Sequence, residues 1–232
     1  MLILKFQYVS LSTNPSTTAA KILILILKNC KRIYGINKYA DYLKTEVRKY
    51  FRIFTLHIFQ MSQVKFKEKK VKMQGYTLAA CLTREARTHL ELVLVMVKFD
   101  EDLASKVDSY LFQIVVYWSL QVMNDSYIIT LFLNFLKQFL AKNTIEKSLA
   151  SILRFHIFSC LNDIAEAYNL KTKPDPVYDS RNAFWVLTEI MKVINDYVRT
   201  HSMNPVIVMN FSSNRKFNQL NELVEREYNV MP

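Results

Sequence analysis

Apolar residues recur along most of this chain at the spacing of a helix. The clearest stretch runs from Ser126 to Leu153, where Ile128, Leu131, Phe132, Phe135, Leu136 and Phe139 fall at i, i+3, i+4, i+7, i+8 and i+11. That spacing predicts one apolar face of a long α-helix. Ala141-Lys142-Asn143-Thr144 breaks the stripe, and Ile145, Leu149, Ile152 and Leu153 resume it in a second helix. The pattern continues to about Asn169, and Lys171 to Pro176, KTKPDP, reads as a loop. Ala183, Leu187, Ile190, Met191, Ile194 and Val198 mark a further helix through Thr200, capped by Asp179 or Ser180. Phe217, Leu220, Leu223, Val224 and Tyr228 predict a last short amphipathic helix.

The upstream pattern is similar. Tyr39 to Phe59 fits a basic helix with Leu43, Val47, Tyr50, Phe51 and Phe54 inward. Thr83 is a plausible N-cap for a helix from Arg84 to Val97, lined by Leu90, Val93, Leu94 and Val97. Phe99 to Asp102 makes an acidic connection, after which Leu103, Val107, Leu111, Ile114, Val115 and Trp118 return to helical spacing. From Ser109 to Leu136 the only charge is Asp125, so a membrane span has to be weighed. Asp at the centre of a span costs about 2.5–3.5 kcal/mol. Gln113, Gln121, Asn124 and Asn134 add to that cost, and Asn124-Asp125-Ser126 reads as a turn with an N-cap. Two buried helices with a corner between them are the better fit, with no stable membrane insertion.

Two glycines and five prolines in 232 residues argue against a β-rich fold. Apolar content of 51% is ample for a core, and the class is all-α. The net charge of +11 is unevenly placed. Residues 1–72 hold 15 Lys and Arg against 3 Asp and Glu, so the remaining residues are close to neutral. That divides the chain into a basic leader, 1–72, a helical domain, 73–200, and a C-terminal tail, 201–232. A basic segment can attract nucleic acid or acidic membranes, but no nucleic-acid-binding module accompanies it. Neither MLIL nor ILILIL satisfies a secretory h-region, which needs about 7–15 apolar residues. Met61 and Met73 are alternative starts downstream of the first residue.

Little in the chain suggests reaction chemistry. Cys30, Cys81 and Cys160 have no zinc or redox spacing. His57, His89, His156 and His201 do not pair with Cys or carboxylates at metal-ligand spacing, so no metal or cofactor is expected. Gly35 and Gly75 cannot make a phosphate loop, and no nucleophile elbow or zinc-protease motif is present. An enzyme is not expected. Asn124 and Asn210 each head an N-x-S triplet in a predicted connection and are candidate glycosylation sites.

From about Asp102 to Tyr197 the order of features resembles the interferon gamma family. A helix ends in a Trp, SYLFQIVVYW; a polar corner follows; then come DSYIITLFLNFLKQF, NTIEKSLASI and, after a loop, NAFWVLTEIMKVINDY. The resemblance implies a secreted helical cytokine, with six helices in an intertwined homodimer that clusters interferon-gamma receptor chains to trigger antiviral and immune signalling. It implies receptor contacts at Arg84 and Arg87, at the connection with Lys98, Asp100, Glu101 and Asp102, and on the helix bearing Thr188. Thr188 stands where the family often has a receptor-facing His. It also implies a dimer core built from Ile128, Leu131, Phe132, Phe135, Leu136, Phe139, Leu187, Ile190, Met191 and Ile194. The tail departs from the family's basic tail, since Arg215, Lys216 and Arg226 stand among Glu222, Glu225 and Glu227. The alternative reading is an intracellular, all-helical interaction module, of viral type, that uses a groove between amphipathic helices.

Overall fold

The computed structural model describes residues 17–34, 37–62, 70–73, 76–79, 84–122, 125–142, 180–202 and 215–228. The described residues are helical apart from one small hairpin. The chain forms two compact units, Met1–Val107 and Asp108–Pro232.

In the first unit, α1 (Thr17–Tyr34) and α2 (Asn37–Ser62) both pack on α3 (Arg84–Phe99). The sequence pattern missed α1, because ILILIL looks short and alternating. Its buried residues are Ala20, Ile24, Leu27 and Cys30, a helical stripe that the exposed Ile22 and Leu25 disguise. On α2, Leu43, Val47 and Phe51 are buried as their spacing predicts, with Tyr50 and Phe54 half-buried. Between α2 and α3 lie β1 (Lys70–Met73) and β2 (Tyr76–Ala79), paired antiparallel with Met73 opposite Tyr76 and Lys70 opposite Ala79. The composition break at residue 72 therefore falls inside a strand, and the first compact unit runs on to Val107.

Helix α3 is the centre of this unit. Leu92 to Val97 are buried without interruption, as are Leu90, His89 and Thr88. A run buried all round must be covered on several sides; α1 and α2 supply that cover. A 3-10 helix, Glu101–Lys106, follows and buries Leu103 and Ala104.

The predicted stripe from Leu103 to Trp118 is not one helix. It breaks at Asp108, whose carboxylate accepts a hydrogen bond from the Leu111 amide at 2.8 Å and so caps α4 (Ser109–Leu120). In the second unit α4 packs on α5 (Ser126–Lys142), α5 on α6 (Ser180–Thr200), and α6 on α7 (Arg215–Tyr228). The corner before α5 forms where the sequence places it, with the Asp125 carboxylate accepting from the amides of Tyr127 and Ile128, both at 3.1 Å. No helix among the described residues is long and apolar enough to cross a membrane.

The core of this second unit is aromatic. The rings of Phe112 and Phe139 stack 4.2 Å apart, and Phe135 lies 6.1 Å from each of them. On α6 the buried Val186, Leu187, Ile190, Met191 and Ile194 face inward. Helix α7 buries Leu220 and Leu223, and Asn221 exchanges side-chain hydrogen bonds with Asn195 of α6, the shorter at 2.8 Å.

Candidate functional site

The residues expected to meet a receptor divide into exposed and buried sets. Arg84 and Arg87 are exposed on the first turns of α3, and Lys98, Glu101 and Asp102 are exposed at its far end. Asp100 is not available for an external contact. It is 3% exposed, and its carboxylate takes a two-point ion pair from Arg48 of α2. Arg48 Nη2 lies 3.0 Å from Asp100 Oδ1 and 2.8 Å from the exposed Asp102 Oδ2. The guanidinium pKa is pushed up by its hydrogen bond and charge attraction to Asp100, with a smaller part from Asp102. The acidic connection is thus clamped to α2, with only part of its charge turned outward.

Thr188 is a second correction. It is 5% exposed on the inward face of α6, so it offers no surface to a partner. Helical spacing places Thr188 beside Met191, three residues on, on the inward face; only the resemblance turned it outward. The ten residues assigned to a dimer core, Ile128, Leu131, Phe132, Phe135, Leu136, Phe139, Leu187, Ile190, Met191 and Ile194, are all buried within one chain. Asn124 and Asn210 lie outside the described residues, as do Cys81, Cys160, His156 and the helix predicted from Ile145 to Asn169.

A different group comes together between α2 and α3. His57 of α2 and Glu85 and His89 of α3 bring one ligand-capable atom each within 4.8 Å of one another. The His57 and His89 rings meet edge-on, centroids 4.6 Å apart at 61°. Both rings are buried, at 3% and 1% exposure, whereas Glu85 is exposed. His89 Nδ1 lies 3.0 Å from the Glu85 backbone carbonyl. A carbonyl only accepts, so Nδ1 carries the proton and donates it. In the neutral ring Nε2 then bears a lone pair, and that atom is buried with no hydrogen-bond partner.

Sequence spacing predicted no metal-ligating group because His57 is remote along the chain from the other two. The usable signal was Glu85 and His89 at i and i+4, which puts both side chains on one face of a helix.

Elsewhere on α2, Lys49 is raised above its ordinary pKa by its hydrogen bond to the buried Glu46, 2.6 Å away, and by the accompanying charge attraction. Lys28 of α1 reaches Glu91 of α3 at 2.8 Å. No protein-family model, curated protein or solved structure matches this chain.

Proposed function

We propose that the protein is a secreted, interferon-gamma-like helical cytokine that acts by binding and clustering cell-surface receptor chains. One observation carries the reading. Helix α4 with Trp118 in its last turn, the Asp125 cap and the Phe-rich α5, with α6 packed on α5, support the part of the resemblance that falls in the described residues.

The recognition surface in this reading is the exposed rim of α3 and the connection after it. It comprises Arg84 and Arg87 at one end of α3 and Lys98, Glu101 and Asp102 at the other, where Arg48 clamps Asp100 and Asp102 to α2. A charged surface of this kind favours fast, specific encounter with a complementary partner. The intertwined six-helix homodimer belongs to the same proposal. Trp185 on α6 and Tyr127 on α5 are exposed although the opposite faces of their helices are buried. Aromatic residues so placed are suited to contact with a second copy. Two copies would present the surface twice and raise avidity for paired receptors.

The test is expression of the full chain in secreting animal cells. The medium is assayed by mass spectrometry, light scattering and binding to immobilised interferon-gamma receptor ectodomain. The expected result is a dimer in the medium that binds the ectodomain, with glycan at Asn124 or Asn210. Replacing Arg84 and Arg87 together by Glu should weaken binding by about tenfold or more, about 1.4 kcal/mol. An unmodified monomer retained in the cell overturns the proposal and favours the intracellular interaction module, for which the exposed Ile53, Leu56 and Phe59 of α2 offer an apolar face.

A further inference from the structure

We propose that His57, Glu85 and His89 form a binding site for a divalent transition-metal ion of the zinc class, which ties α2 to α3. The residue types are two imidazoles and a carboxylate. Imidazole suits zinc and its neighbours, whereas magnesium and calcium take oxygen ligands. Three protein ligands leave a fourth tetrahedral position for water.

The geometry fits this chemistry. Ligands on a common zinc at about 2.0–2.2 Å lie roughly 3.5 Å apart. The three ligand atoms already lie within 4.8 Å of one another, and Glu85 is the exposed member, outside the close packing that holds both rings. Reaching zinc distances takes a contraction on the order of 1 Å, and Glu85 is the member of the set in contact with solvent.

The tautomer of His89 is a separate observation. Metal-bound histidines commonly donate their other ring N–H to a carbonyl, which orients the ring and fixes the ligating nitrogen. His89 does this through Nδ1 to the Glu85 carbonyl at 3.0 Å. The nitrogen left over, Nε2, is buried without a hydrogen-bond partner. An edge-on histidine pair that served packing alone would leave that lone pair stripped of water and unanswered. A cation shared with His57 and Glu85 answers it.

The experiment uses the full chain, stripped with chelator and titrated with zinc chloride by calorimetry, with thermal unfolding in parallel. The expected result is one equivalent bound per chain and a raised melting temperature. Cobalt(II) should give the visible ligand-field absorption of a four-coordinate ion. Glu85→Gln changes an exposed side chain and leaves the far-UV circular dichroism unchanged. It should weaken zinc binding by more than tenfold and alter the cobalt spectrum. His89→Phe keeps a buried ring and should abolish both. Failure to bind zinc overturns the proposal, as does binding whose affinity and cobalt spectrum survive Glu85→Gln. Secretion and receptor binding do not enter these readouts, so the outcome is independent of the cytokine reading.

Discussion

Tyr197 lies in the last turn of α6, buried, with its ring 4.2 Å from that of His201. Burial pushes its phenol above the ordinary tyrosine value, because the anion would lose its hydration. The folded state therefore holds the phenolic proton more tightly than the unfolded chain. Its contribution to stability is complete below about pH 10, the unfolded value, and is lost as pH rises through the folded pKa above it. Tyr197→Phe keeps the ring and removes the titration. Urea unfolding of the two proteins from about pH 8 to pH 11 should show the parent losing stability relative to the variant above about pH 10; parallel curves would sink the assignment. Residue-level roles of this kind were only partly legible in the sequence. The inward faces of α5 and α6 could be read because each residue's direction follows from helical spacing. The burial of Asp100 could not, since it depends on Arg48, 52 residues earlier on another helix. The His57–Glu85–His89 group was hidden for the same reason, because only the packing of α2 on α3 brings His57 to the other two.

At the scale of elements, short polar side chains set where the helices begin. Asp108 and Asp125 each interrupt an apolar run, and each accepts hydrogen bonds from amides of the following helix that would otherwise lack partners. Without Asp125, Ser109 to Leu136 would be one stretch free of charge. With both caps the chain forms two helices that fold back so that Phe112 of α4 stacks on Phe139 of α5. Asp125→Ala should cost about 1 kcal/mol, within the usual span for a lost N-cap, while Asp125→Asn should cost markedly less, as read from denaturant midpoints. Equal losses in both variants would mean that the carboxylate's charge matters and its hydrogen bonds do not. The cap at Asp125 was readable in advance, because Asn-Asp-Ser before an apolar stripe has few other structural uses. The break at Asp108 was not: Val107 and Leu111 sit at helical spacing on either side of it, and only the backbone turn shows that they belong to separate elements.

For the molecule as a whole, the charge distribution and the packing divide the chain at different places. Lysine and arginine concentrate in residues 1–72, which makes that third look like a detachable leader. The compact unit extends instead to Val107, with α1 and α2 packed on the extensively buried α3. The exposed Lys28–Glu91 pair adds little to this attachment, since surface ion pairs contribute at most about 1 kcal/mol. Burial contributes far more. Ile24, Leu27, Leu43, Val47, Phe51 and Ile58 are all buried on α1 and α2. At about 1.5–3 kcal/mol for each such side chain, the set amounts to on the order of 10 kcal/mol before chain entropy is subtracted. A chain begun at Met73 should therefore leave α3 uncovered. It should bind the dye ANS strongly and show a smaller denaturant m-value than the full chain, because less surface is buried to be exposed on unfolding. Cooperative unfolding of the shortened chain without dye binding would mean that α3 finds other cover, and that the basic third is the separable leader its composition suggests.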